Sequence, residues 1–181
     1  VDDGESFYDR IDNIMSRNIY GDIVTINAGV NGDDTREALA RFERDVLAHD
    51  PDIVIFAFGL NDSQNGAITP EEFAQNLRTM MSRLDETTKV FLATSNTFLD
   101  SGRGDWEDLN ESLDLYMDKA REVARERNVR LIDIHAAWKN QIRQDNRNME
   151  TLYTDPTHPS AVGHRLIYET YMNNLRPSLV K

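Results

Sequence analysis

Four short apolar runs constrain this chain more than any other feature: Ile23–Asn27, Asp52–Phe58, Lys89–Thr94 and Arg130–Ile134. They are rich in β-branched residues and, as in "DIVIFAF" and "KVFLAT", lack the in/out alternation of a half-exposed strand. Unbroken apolar runs of this length fit parallel strands covered on both faces. Helical patterns lie between them. Ser6–Asn18 brings Phe7, Ile11, Ile14 and Met15 to one side, and Asp34–His49 does the same with Leu39, Phe42, Val46 and Leu47. Thr69-Pro70-Glu71-Glu72 is a capping box with proline at the first helical position, opening a helix to about Leu84. A long helix is expected over Trp106–Asn128 and a last one from near Pro159 or Ser160. Alternating strands and helices predict a three-layer α/β/α sandwich with a parallel sheet and right-handed crossovers, in one domain over residues 1–181.

Charge narrows the partners. Lys and Arg total 20 against 32 Asp and Glu, a formal charge of −12, which argues against a nucleic-acid backbone or an anionic membrane surface. No apolar window is long enough to span a bilayer. The absence of cysteine excludes disulfides, thiolate nucleophiles and zinc–thiolate sites. A small neutral ester, sugar or lipid remains a suitable substrate.

In doubly wound sheets, sites form beyond the carboxyl ends of the strands. Here the first run leads into "NAGVNGDDT" (Asn27–Thr35), the second ends in "GLND" (Gly59–Asp62), and the segment after the fourth leads to "YTDPTHPSAVGH" (residues 153–164). A glycine loop and an asparagine amide can face an oxygen that becomes negative. Asp155 and His158, three residues apart with Pro156 between them and Pro159 after them, can share one turn. There the imidazole takes a proton while the carboxylate holds its tautomer. A plain helix start is the alternative for Asp155. A metal site would need more ligands than His164 alone, so neither metal nor other cofactor is expected. Asp33 and Asp34 suit a helix N-terminus, and His49 a helix C-terminus. His135 ends the fourth run and is either satisfied in the core or reaches the site. Phe98, Trp106 and Trp138 fit core positions better than a substrate pocket. The loop Leu99–Asp108 is a candidate for substrate recognition.

These blocks resemble those of the SGNH, or GDSL-type, hydrolases, a family of serine esterases, lipases, thioesterases and carbohydrate deacetylases. "NAGVNGDDT" is similar to the family's second block, "GLND" to its third and "DPTHPSAVGH" to its last, in the family's order. The resemblance implies a flavodoxin-like fold with Gly32 and Asn61 as oxyanion-hole donors and Asp155 and His158 as triad acid and base. It further implies hydrolysis of small or short-acyl carboxylic esters, including O-acetyl groups on carbohydrates, through an acyl-enzyme. A lysophospholipase or thioesterase of the same family, or a non-catalytic binding protein of this fold, is the alternative.

The family's first block, Gly-Asp-Ser after the first strand, has no counterpart here. Gly4-Glu5-Ser6 comes nearest, but no strand can precede it, and Ser6 reads as the N-cap of the first helix. In the strand order 2-1-3-4-5 the first strand is central, and leaving it out would strand buried backbone groups at about 1–3 kcal/mol each. The nucleophilic serine and first strand are therefore expected upstream of Val1.

Overall fold

The computed structural model describes residues 23–64, 66–100 and 106–179. Among them, three parallel strands form a sheet in the order β1 (Ile53–Ala57), β2 (Lys89–Ala93), β3 (Arg130–Ile132). The registers Ala57↔Ala93 and Ala93↔Ile132 align their carboxyl ends. The helices are α1 (Thr35–Asp45), α2 (Leu60–Gln64), α3 (Pro70–Met81), α4 (Trp106–Glu126), α5 (Ile134–Gln144) and α6 (Ala161–Leu179).

Local chemistry starts these helices where it does. The Asp34 carboxylate accepts from the N–H groups of Arg36 and Glu37, and the Glu37 carboxylate accepts from Asp34 N–H, which closes a capping box on α1. Thr69 Oγ1 accepts from Glu72 N–H ahead of Pro70, the first residue of α3.

Two-sided burial of β2 explains its unbroken apolar run. Leu92 points into a core shared with Val54, Phe56, Phe42 of α1, Phe73 and Leu77 of α3, and Leu113 and Met117 of α4. Phe91 and Ala93 point into a second core with Ile132, Trp138 of α5, Tyr153, and Ile167 and Tyr171 of α6. Each large side chain removed from water in this way contributes about 1.5–3 kcal/mol.

Three expectations need correction. Ile23–Asn27 forms no ladder, and Val24 is 84% exposed. In the expected strand order this segment pairs with the first strand rather than with β1, and no such neighbour lies among the described residues. Arg130–Ile134 is strand only to Ile132, because the Asp133 carboxylate accepts from Ala136 N–H and caps α5, a helix the apolar pattern did not announce. The helix expected over Asp34–His49 ends at Asp45, and His49 closes a separate 3-10 turn, Leu47–His49. Ser6 and the helix expected over Ser6–Asn18 lie outside the described residues.

Candidate active site

Two constellations stand on the carboxyl edge of the sheet. The first is built around Gly32 and Asn61. Residues 30–33 form a turn in which Asp33 N–H donates to Val30 O at 3.2 Å. Gly32 has φ +86°, with open space where a Cβ would stand, so backbone conformation rather than crowding calls for glycine. Behind it, the Arg41 guanidinium bonds Asp33 Oδ2 at 2.7 Å and Ala28 O at 2.6 Å, gripping both sides of the loop. Asn61, in the short α2 directly after β1, donates from Nδ2 to Asp33 O at 3.0 Å. Its amide is thereby held against the residue that follows Gly32.

The buried Asp62 carboxylate joins these pieces. One oxygen accepts from Thr35 N–H at 3.0 Å and Thr35 Oγ1 at 2.6 Å, and the other from Gly59 N–H at 3.0 Å. Asn76 Nδ2 in turn donates to Thr35 Oγ1 at 3.1 Å. Burial pushes the Asp62 carboxyl up, and the Thr35 and Gly59 donors only partly offset it. The carboxylate fixes the end of β1 to the start of α1, and so sets the distance between the Gly32 and Asn61 segments.

The second constellation is the Asp155–His158 turn. Asp155 Oδ1 accepts from the N–H groups of Thr157 at 2.8 Å and His158 at 2.9 Å, while Oδ2 meets His158 Nδ1 at 2.8 Å. The Thr157 and His158 N–H groups, and then the imidazole, hold the Asp155 carboxyl below the usual carboxylate range. An ionised carboxylate only accepts, so Nδ1 presents a proton to it, and in the neutral ring the lone pair then lies on Nε2. Both side chains are open to solvent, 50% for Asp155 and 64% for His158.

The turn is exposed but its stem is not. Tyr153 and Pro159 pair as an antiparallel bridge, and Thr154 N–H donates to His158 O at 2.9 Å. Trp138 Nε1 donates to Tyr153 Oη at 2.7 Å, and Tyr153 Oη and Thr97 Oγ1 share a hydrogen bond at 2.6 Å. Gly163, in the first turn of α6, seals the stem: a Cβ there would lie 2.3 Å from Leu152 O and 2.6 Å from the Trp138 ring. Residues 94–99, which continue from β2, reach the turn itself. Leu99 N–H donates to Pro156 O at 2.8 Å, and Asn96 Nδ2 to Thr157 O at 3.1 Å.

All four residues singled out from the sequence thus stand at the same edge, paired as Gly32 with Asn61 and Asp155 with His158. Sequence reasoning missed the support from Asn96, Thr97, Tyr153 and Trp138. The polar "TSNT" directly after the buried end of β2 was a usable signal for part of it. His135 is buried within α5, its Nε2 2.7 Å from Asp114 Oδ1, and burial lowers its pKa despite that carboxylate. Phe98 and Trp138 are core residues. In the loop Leu99–Asp108, residues 101–105 lie outside the described residues.

The pattern of the GDSL-like lipase/acylhydrolase family matches residues 2–166, and the blocks at Gly32, Asn61 and Asp155–His158 all fall within that span. The chain belongs to this family. It is therefore a carboxylic ester hydrolase. An acetylxylan esterase of Geobacillus stearothermophilus is 25% identical over 167 residues, which is 84% of this chain and 72% of that protein. An arylesterase of Vibrio mimicus is 33% identical over 66 residues, 36% of this chain and 32% of its own length. The crystal structure of the acetylxylan esterase shares the fold with TM-score 0.80 at 20% identity, covering 97% of this chain and 83% of that one. An α/β hydrolase enzyme from the metagenome of Lake Arreo aligns with TM-score 0.67 and 25% identity, covering 79% of this chain and 68% of that one. No helix among the described residues is long and apolar enough to cross a membrane.

Proposed function

We propose that this GDSL-like hydrolase removes acetyl or similarly short acyl groups from a small carbohydrate ester by way of an acyl-enzyme, with His158 as the base. The observation that carries the reading is the 2.8 Å contact between Asp155 Oδ2 and His158 Nδ1, which leaves Nε2 as the proton acceptor. The nucleophile is a serine outside the described residues. Its Oγ adds to the carbonyl carbon as its proton passes to His158 Nε2, and Asp155 stabilises the imidazolium that forms. The oxygen that becomes negative accepts from Gly32 N–H and Asn61 Nδ2, each donor worth roughly 3–4 kcal/mol in the transition state. Collapse breaks the bond to the alcohol oxygen, which takes the proton from His158. Water, deprotonated at the same nitrogen, then releases the acid and restores the serine.

The acetyl preference draws on the acetylxylan esterase relative, 25% identical across 84% of this chain. The test is a panel on the full-length protein: acetylated xylo-oligosaccharide, 4-nitrophenyl esters from acetate to octanoate, and an acyl thioester. The reading expects acetate release from the oligosaccharide and a kcat/KM that falls as the acyl chain grows. A maximum at octanoate, or preference for the thioester, would overturn the substrate assignment.

A further inference from the structure

The base is exposed, so what fixes its direction must come from the backbone beneath it. One peptide plane decides that direction, the bond between Thr157 and His158. Its N–H donates to Asp155 Oδ1 at 2.9 Å, and its carbonyl accepts from Asn96 Nδ2 at 3.1 Å. The plane is thus held on opposite edges by two side chains. One is the solvent-open Asp155, and the other a buried amide 7% exposed on the loop after β2. The second Asn96 hydrogen bond, to Thr97 O at 2.9 Å, orients that amide within its own loop.

Beyond the proposed hydrolase reading, on which this point rests, we infer that Asn96 is a positioning residue. It sets the orientation of the His158 ring by holding the Thr157 carbonyl, and couples the base to the rigid sheet. Its neighbours make its position stiff. Thr94 Oγ1, next to the end of β2, donates to Asp133 Oδ1 at 3.1 Å and accepts from His135 N–H at 2.9 Å. Phe98 is anchored by Asn110, whose side chain accepts from Phe98 N–H at 2.9 Å and donates to Phe98 O at 3.1 Å. The loop is therefore fastened to α4 and α5 on either side of Asn96. The other tethers to the turn act elsewhere: Thr97 reaches Tyr153 in the stem, and Leu99 reaches Pro156. Asp155 holds the N–H side of the peptide before the base and Thr154 the carbonyl after it, both from within the turn. Among the described residues, Asn96 is the side chain that ties that peptide to the loop after β2.

The test compares wild type, Asn96→Ala, Asn96→Ser and His158→Ala in the full-length protein, by steady-state kinetics, melting temperature and proton NMR of the imidazole Nδ1–H. The Nδ1–H signal is assigned by its loss in His158→Ala. Misplacement of a reacting group by about 1 Å can cost 10²-fold in rate. Asn96→Ala is expected to lower kcat by ten- to a hundredfold with KM within twofold of wild type. The Nδ1–H signal should broaden or vanish well below the melting temperature. Asn96→Ser, which keeps a shorter donor, is expected to fall between the two. A lowered melting temperature with an unchanged signal and unchanged kcat in folded Asn96→Ala would reduce Asn96 to a packing role and overturn the inference. If His158→Ala itself leaves activity intact, the hydrolase reading fails instead. The NMR signal in the Asn96 variants then still decides whether the amide positions the ring.

Discussion

Asn61 Nδ2 lies 3.0 Å from the carbonyl oxygen of Asp33, joining a side chain at the end of β1 to the residue that follows Gly32. A side-chain amide has two N–H groups, and this bond occupies one. In the proposed mechanism the other meets the substrate oxygen beside Gly32. Replacing Asn61, half-buried in the first turn of α2, with Ala removes that donor together with the bond to Asp33 O. The expected result is a loss of about 10²–10³ in kcat with little change in KM, read from steady-state hydrolysis of a short-chain ester.

Asp62 stands next to Asn61 but has a different task. Its carboxylate satisfies Thr35 N–H, Thr35 Oγ1 and Gly59 N–H inside the protein. Asp62→Ala leaves those donors buried without partners, at about 1–3 kcal/mol each. A loss of at least ~3 kcal/mol is expected, seen as a melting temperature lowered by roughly 6–12 °C. A shift under 2 °C would show that the donors find other partners.

The same relationship separates what was readable in the sequence from what was not. Apolar runs and the caps at Asp34 and Thr69 gave the parallel sheet and the helix starts, because burial on two faces and orphan N–H groups leave direct marks in sequence. Asp155 and His158 could be singled out as a pair because one short turn holds both partners, and Gly32 because of its backbone demand. Asn61 was singled out by its place after a strand and by the family resemblance, its partner Asp33 lying 28 residues away. Asn96 and Tyr153 were not, since their roles depend on contacts 61 and 56 residues away. The helix α5 escaped because Asp133 ends a strand and caps a helix at once, and Ile134 continues the apolar run.

Asp155 makes the turn sensitive to acid in a defined window. Its folded pKa is depressed, so the stability it contributes is present above the ordinary carboxylate value. That contribution is lost as the pH falls through the lower folded one. The melting-temperature advantage of wild type over Asp155→Asn should persist down to about pH 5 and shrink below about pH 4. A difference that closes between pH 7 and 5 would contradict the assignment.

Gly163 tests the stem by crowding. A methyl group there meets Leu152 O at 2.3 Å and the Trp138 ring at 2.6 Å, so backbone or α6 must shift. Gly163→Ala is expected to destabilise by about 1–3 kcal/mol, measured by denaturant or thermal unfolding. An unchanged midpoint would mean that α6 yields freely.

The central claim is that the Asp155–His158 pair activates a serine. Intact-mass measurement of the full-length protein with a fluorophosphonate probe addresses it most directly, because the probe reacts only with an activated nucleophile. The account predicts a single adduct in wild type, and loss of that adduct on the same time scale in His158→Ala. No adduct in folded, wild-type protein, or equal labelling of the two, would contradict it.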